Sequence, residues 1–409
     1  MVVDSSSTQQ LRKLPDDFMQ HPYEILEQLR AEGPAQPLIF PHGAKVWLVT
    51  KYEDVRQLLG DPRVSKDGRC INQLFARHSG VEELDEEVVD DELAQHMLNS
   101  DPPRHTRLRS LVSKEFTLRR MEAFRPRLEV VADKLLDAME GRDPVDLVEG
   151  YTLPLPIITI CDVLGIPPSD QDLFRRWAVE LVGAGQAPGV VERATEECTA
   201  YARKSIEDKR ANPGEDMMSA LIRGKEDDRL TDDELVQMFF LFTIAGHVTS
   251  MHTLTNGIFA LLTHPEEMAR LKADMSLLPQ AIDELQRFDG GVGVATWRFT
   301  KEEVTLSDGT VIPAGEILAL SVQGAHRDGC RYEDANRLDL TRRPNGILGF
   351  GHGPHYCIGA PLAHIQSEVA LTKLLTRFPD MRLAADPDSL PWERSTLLRG
   401  LIELPVHLR

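Results

Sequence analysis

The sequence predicts a mostly α protein with a small β portion, and three observations carry that prediction. Through 101–263 the apolar residues recur at helical spacing, with breaks at turn signals that include Pro102-Pro103, Pro167-Pro168 and Pro213-Gly214. Near residue 290 the texture changes to short β-branched runs at 294–300, 304–305, 311–312 and 317–322, separated by Gly, Asp and Pro. A long helical pattern then returns at 358–377. No internal repeat or low-complexity linker divides the chain. Residues 1–409 are therefore expected to form a single domain, with 1–20 as a loose arm.

The remaining elements follow from local pattern. Residues 23–32 read as a helix, and 45–50 (Lys-Val-Trp-Leu-Val-Thr) alternate and are β-branched, so they read as a strand. Residues 52–59, 215–222, 266–275 and 278–288 read as shorter helices. The stretch 61–100 has weak periodicity and an acidic run at 82–92, so a long irregular connection is expected there, with room for a short helix. A solvated face is the plain reading of that run; a mobile lid is the functional one, because long loops in compact proteins often serve a site. Residues 328–348 are irregular and polar, and the tail carries short strand-like runs.

Composition narrows the function classes. The 409 residues are 42% hydrophobic and 27% charged, as in an ordinary globular protein. A net charge of -19 argues against nucleic acid or an anionic membrane as the main partner. The five cysteines (Cys70, Cys161, Cys198, Cys330 and Cys357) are scattered and form no CxxC pair. They suggest neither a disulfide framework nor a zinc site, and they fit a reducing cytosol. The first ten residues are polar and lack the order of a signal peptide, so a cytoplasmic location is expected. Residues 238–263 contain no Asp, Glu, Lys or Arg but do carry His247, Thr249, Ser250, His252, Thr253, Thr255 and Asn256. Those groups are costly in lipid, so a buried central helix is expected rather than a membrane span.

Cys357 is the most informative residue. It lies in Phe350-Gly351-His352-Gly353-Pro354-His355-Tyr356-Cys357-Ile358-Gly359, just before the last long helix. A glycine-rich turn can aim backbone N–H groups at the sulfur, and the positive end of the following helix lies beside it. Both effects favour thiolate over thiol. A shielded thiolate of this kind is the axial ligand that pushes electron density onto a heme iron.

Three further constellations accompany it. Glu284 and Arg287 are three apart on a helix and share a face. Alone they read as a surface ion pair; buried, they would lock the irregular stretch before the Cys loop. Asp101-Pro102-Pro103-Arg104-His105-Thr106-Arg107-Leu108-Arg109 opens a helix after a double proline, with Asp101 available as a cap. His105 and Arg109 share a face there and suit a dicarboxylate, although a basic helix surface has the same pattern. Arg298 ends a strand-like run, and His355 precedes Cys357 by two residues.

Together these segments resemble the cytochromes P450. Phe350-x-x-Gly353-x-His355-x-Cys357-x-Gly359 resembles their heme-binding signature, and Glu284-x-x-Arg287 resembles their second signature. The 101–109 helix resembles the propionate-binding helix of bacterial members, and Ala245-Gly246-His247-Val248-Thr249-Ser250 resembles their distal helix. The resemblance runs from about residue 15 to the end. It implies heme b (iron protoporphyrin IX) held between a long distal helix and the proximal Cys loop. Cys357 would ligate the iron, with Gly359 in its loop and Phe350 shielding the sulfur. His105, Arg109, Arg298 and His355 would hold the propionates. Ala245 and Gly246 would let the distal helix lie close to the iron, and Thr249 would hydrogen-bond dioxygen or the water that serves it. Substrate contacts would come from 67–99, 175–190, the distal helix, Val292, Val294, Leu397 and Leu398, mostly apolar positions suited to a small hydrophobic or aromatic natural product of secondary metabolism. Electrons would come from NAD(P)H through a ferredoxin reductase and a ferredoxin. Part of the basic group Arg107, Arg109, Lys114, Arg119 and Arg120 would dock that donor, unless it is simply a solvated face.

The chain departs from the pattern twice. Where relatives carry an acid before the threonine, this chain has Val248. An acid there relays protons, an effect typically worth about 10²–10⁴ in rate. Either water, His247, Ser250 or substrate groups replace it in a monooxygenase, or the reaction is another one. Oxidative coupling or cyclisation, nitrogen-group transfer, peroxide use and nitric oxide reduction are examples within the family. A non-catalytic heme or ligand-binding protein is the remaining alternative. Second, Gly290, Gly291 and Gly293 stand where relatives usually carry a proline, which reads as added space and freedom at the heme edge.

Overall fold

The computed structural model describes residues 11–41, 43–79, 92–182, 187–224 and 229–409. All of the lid expected at 82–92 except residue 92, and the 183–186 part of the 175–190 region, lie outside the described residues. Helices Arg125–Met139, Pro154–Leu164, Gln171–Val182, Val190–Ala211, Asp232–Ala245, Val248–Thr263, Leu278–Asp289 and Ala360–Arg377 surround one apolar core that includes Leu136, Leu164, Trp177, Phe239, Leu261 and Leu374. The β portion is small. Its largest sheet has five strands in the order Ala35–Ile39, Lys45–Val49, Ile317–Leu320, Arg298–Thr300 and Val64–Ser65. Lys45–Val49 pairs parallel with Ile317–Leu320, so the N-terminal third and the Cys-bearing third share one sheet.

Alternation along Ile317–Leu320 builds a core on each face of that sheet. Leu318 and Leu320 join Val49, Tyr52, Val55 and Leu58, while Ile317 and Ala319 join Leu14, Phe18, Val46 and Leu48. The second group corrects the expectation of a loose arm for the part of 1–20 that is described. Leu14 and Phe18 are each 1% exposed, and Leu14 N donates to Ile39 O at 2.8 Å. The connection 61–100 is also more ordered than expected. Residues Gly68–Ser79 form a helix, which packs Phe75 edge-on against Trp297 at 5.1 Å.

The long distal helix of the sequence reading is two helices, Asp232–Ala245 and Val248–Thr263. The first starts from a capping box, with Thr231 accepting from Glu234 N and Glu234 accepting from Thr231 N. The break falls at Gly246 and His247. A Cβ on Gly246 would sit 2.5 Å from Phe242 O and 2.8 Å from Ile160 Cδ1, so only glycine allows this approach. Taken as one stretch, Asp232–Thr263 is long and apolar enough to cross a membrane, yet 61% of its apolar window is buried inside the protein, as in a core helix.

Candidate active site

Four segments converge on the site: the Cys loop, the helix Arg104–Ser113, the strand end at Arg298, and the broken distal helix. The Cys loop turns on Gly351 and Gly353, both with positive φ near 73° (φ 74 and 72), a conformation that disfavours side chains. Cys357 N donates to Phe350 O at 2.8 Å and closes the turn. The helix Ala360–Arg377 begins three residues after Cys357. Phe350 packs against His364 with ring centroids 5.0 Å apart and the planes tilted by 43°, which fixes it beside the loop.

The electrostatics at sulfur differ from the expectation. The Gly359 and Ala360 amides and the Arg109 charge do favour thiolate, but burial outweighs them and pushes the thiol pKa up. The Cys357 side chain remains accessible although protein surrounds it.

Beside the loop lies a concentration of positive and donor groups. His355 and His105 face each other with ring centroids 4.1 Å apart. Burial, then Lys66, His105, Arg298 and Arg109, holds the His355 imidazole far below its ordinary range. Arg298 is 4% exposed and donates to Thr296 O at 2.6 Å; burial brings its guanidinium down to about 10. Arg109 donates to Tyr356 O at 2.7 Å, tying its helix to the Cys loop. All four sequence-predicted side chains therefore meet in one place.

The sequence reading missed a fifth. Lys66 is 3% exposed and donates to Thr296 Oγ1 at 2.6 Å. Burial first, then Arg298, pushes its ammonium well below the usual lysine range. Among the described residues, neither Lys66 nor Arg298 forms an ion pair, and His105 Nε2 is buried with no partner. Unpaired buried charge is costly, so this cluster calls for an anion of more than one charge. The two carboxylates of a heme fit that demand, and Cys357 supplies a sulfur donor on the same side of the fold.

Asp101 has a role other than the expected helix cap. It accepts from Ser65 Oγ at 2.6 Å and Lys66 N at 3.0 Å, while the residue at the cap position, Pro103, makes no side-chain cap bond. Asp101 thus positions the segment that carries Lys66.

On the distal side, Ala245 is exposed at the helix break and Val248 is 7% exposed, turned into the protein. Thr249 Oγ1 points at Ala245 O over a long 3.4 Å contact. His247 is no ready substitute for an acid. Its Nδ1 lies 2.7 Å from Thr243 O, it is buried, and burial lowers its pKa to about 4.

The Glu284–Arg287 pair is the buried lock rather than the surface ion pair. Arg287 donates twice to Glu284, at 2.7 and 2.8 Å, and both side chains are 0% exposed. Arg287 also reaches His326 O, Ala335 O and Arg337 O, and Glu284 accepts from Asp339 N and Arg342 Nε. An irregular polar stretch is thereby held by one pair of side chains.

The predicted substrate positions divide. Val292 and Leu398 are half-buried and bridge each other across two loops. Val294 is 1% exposed and, with Leu397, packs into the cluster around Leu14 and Phe18. This corrects Val294 from pocket wall to core, because it is buried against segments remote in sequence, while Leu397 is half-buried like Leu398. The glycines nearby serve close packing rather than looseness. A Cβ on Gly291 would lie 2.7 Å from His252 Cβ and 2.9 Å from Thr249 O, and one on Gly293 would lie 2.0 Å from Met19 Cε.

The basic group also divides. Arg107 pairs with Glu234, Arg120 with Glu115, and Arg109 points to the Cys loop. Lys114 and Arg119 are exposed and form no ion pair among the described residues.

The family profile of the cytochromes P450 matches residues 185–400. Cytochrome P450 107B1 of Saccharopolyspora erythraea is 43% identical over 393 residues, covering 96% of each chain. Cytochrome P450 monooxygenase PikC of Streptomyces venezuelae is 43% identical over 405 residues, covering 98% of this chain and 94% of PikC. The tirandamycin C-bound P450 monooxygenase TamI superposes with a TM-score of 0.90 at 42% identity, over 97% of this chain and 100% of that one. A shared fold and this identity across nearly the whole length establish that the chain belongs to the cytochrome P450 family of heme-thiolate monooxygenases, which draw electrons from redox partners.

Proposed function

We propose that this enzyme inserts one oxygen atom from dioxygen into a small hydrophobic natural product, acting as one domain in the cytoplasm. Cys357 would hold the iron of heme b, and Lys66, His105, Arg109, Arg298 and His355 would hold its propionates. The observation that carries this reading is the buried cationic cluster, in which neither Lys66 nor Arg298 forms an ion pair among the described residues and which lies beside an accessible thiol. When bound, a thiolate-ligated heme supplies reductive activation of dioxygen and oxygen transfer to an unactivated C–H bond. PikC is named a monooxygenase and TamI was solved with tirandamycin C, which supports a natural-product substrate.

The chain's own residues do the following. Burial favours the thiol form of Cys357, while the Gly359 and Ala360 amides and Arg109 stabilise negative charge on the sulfur that would hold the heme iron. The helix break at Gly246–His247 leaves Ala245 exposed and makes room on the distal side. Thr249 is free to turn from its 3.4 Å contact with Ala245 O toward dioxygen or water, because a hydrogen bond that long is weak. Val248 and His247 offer no proton at neutral pH, so protons reach Thr249 through water or a substrate hydroxyl. Val292 and Leu398 bound the substrate. NAD(P)H-derived electrons arrive through a ferredoxin reductase and a ferredoxin, which docks near the exposed Lys114 and Arg119.

One observation favours a second reading. With Val248 in place of an acid and His247 tied to Thr243 O, the distal segment 245–250 holds no acidic group. Oxidative coupling or cyclisation, nitrogen-group transfer, peroxide use or nitric oxide reduction would need less proton delivery there. Turnover under isotopically labelled dioxygen separates the readings. Label in the product, dependent on reductant, supports oxygen insertion; full turnover with no label overturns it.

A further inference from the structure

We propose that Arg399 is a positioning residue for substrate: from behind, it fixes the two loops whose front faces carry Val292 and Leu398. This rests on the assignment of those two residues to the pocket wall.

Arg399 is 6% exposed and joins parts of the chain that are remote in sequence. Its Nε donates to Asp289 Oδ1 at 2.9 Å, at the start of the loop that carries Val292. Its Nη1 donates to Met19 O at 3.0 Å and Gln20 O at 2.5 Å. The guanidinium lies 3.5 Å from the Trp392 ring centroid, a favourable cation–π distance. The backbone is also engaged: Arg399 N donates to Gly291 O at 3.1 Å, and Arg399 O accepts from Asn256 Nδ2, on the distal helix, at 3.0 Å. Tyr23 completes the hub by donating to Asp289 Oδ1 at 2.5 Å.

The consequence is a fixed register. Leu397 O accepts from Gly293 N at 2.9 Å and Val294 N at 3.0 Å, and Val292 bridges Leu398. Leu397 packs against the cluster that holds Val294 and Met19, Leu398 pairs with Val292, both leucines are half-buried, and Arg399 is buried. In an extended segment, a slip of one residue exchanges the two faces. Such a slip would present Leu397 in place of Leu398. The guanidinium's four directed contacts, to Asp289, Met19, Gln20 and Trp392, oppose it, because none can be kept after a shift of one residue.

The test uses holoenzyme and two iron-coordinating probes, imidazole and phenylimidazole, titrated through the Soret band. The phenyl group reaches the pocket wall, whereas imidazole alone reports the iron site. In Arg399→Gln, phenylimidazole affinity is expected to fall about tenfold, the scale of one lost charge-assisted hydrogen bond. Imidazole affinity should stay within about twofold. Tyr23→Phe, which removes only the phenol hydroxyl, should lower phenylimidazole affinity about threefold. It decides the matter alone if Arg399→Gln yields no holoenzyme. Equal losses for both probes, or no loss in folded variants, overturn the proposal. Val292→Ala and Leu398→Ala serve as controls. If they leave phenylimidazole affinity unchanged, the pocket assignment itself has failed; if they change it while Arg399→Gln and Tyr23→Phe do not, only the positioning role has failed.

Discussion

Lys66 Nζ donates to Thr296 Oγ1 at 2.6 Å, deep in the protein, and forms no ion pair among the described residues, the charge of Asp101 only partly offsetting its burial. A buried ammonium held by a neutral hydroxyl destabilises the apoprotein and favours binding of an anion. Lys66→Met should therefore speed heme loss to apomyoglobin by about tenfold or more, given that an uncompensated change at a buried charge costs a few kcal/mol. The sign of the pH effect follows from the depressed pKa. The folded apoprotein binds fewer protons at Lys66 than the unfolded chain, so stability rises with pH up to the ordinary lysine range. Urea unfolding of wild-type and Lys66→Met apoprotein should show that rise only with lysine present. Heme loss unaffected by Lys66→Met would remove Lys66 from the cofactor site.

Glu284→Gln should be severely destabilising. It leaves the Arg287 guanidinium, 0% exposed, without its counter-charge. Breaking a buried pair in this way costs about 3–5 kcal/mol. Hydrogen exchange should report first on 328–348, whose carbonyls at Ala335 and Arg337 accept from Arg287. Normal protection across that stretch in the variant would show that other contacts hold it.

Gly400 and His252 should couple strongly. A Cβ on Gly400 would lie 1.7 Å from His252 Nδ1, so Gly400→Ala must displace the ring. Overpacking of this kind costs about 1–3 kcal/mol. Against a His252→Ala background the same change should cost far less, a non-additivity that a double-mutant cycle measures by thermal unfolding. Additive losses would mean that the imidazole is not the obstacle.

Acid should unfold the apoprotein early. Burial lowers the pKa of His96, His247 and His252 from 6.5 to about 4, and that of His326 to about 3. These imidazoles are neutral in the folded state, and the unfolded chain takes up their protons below 6.5. Their contribution is therefore complete above pH 6.5 and is lost as pH falls toward about 4. Unfolding free energy measured across that interval should drop steeply, and less steeply in His252→Gln. A flat profile would contradict the buried neutral assignment.

Much of the site was legible because its chemistry is local in sequence. The turn glycines, Cys357 and the following helix lie within ten residues, and His105 and Arg109 share a helix face by spacing alone. Lys66 was not legible. Nothing beside it marks a binding residue, and its burial arises from Asp101 and Thr296, which lie 35 and 230 residues away in sequence. Val294 was misplaced for a related reason: it is buried against Leu14 and Phe18, which are remote in sequence.

By itself, then, the sequence determined the helical fold class, the Cys loop, the Glu284–Arg287 spacing and the loss of an acid at Val248. These depend on periodicity, turn chemistry and residue type, which act over a few residues. Tertiary structure decided what required distant segments to meet. It set the balance at Cys357, where burial outweighs the amides. It broke the distal helix at Gly246, where Ile160 crosses closely, and it turned the glycines at 290–293 from freedom into contact. It also joined Arg399 to Asp289, Met19 and Gln20. In each case the deciding quantity was desolvation or steric exclusion, which exists only once the chain has packed.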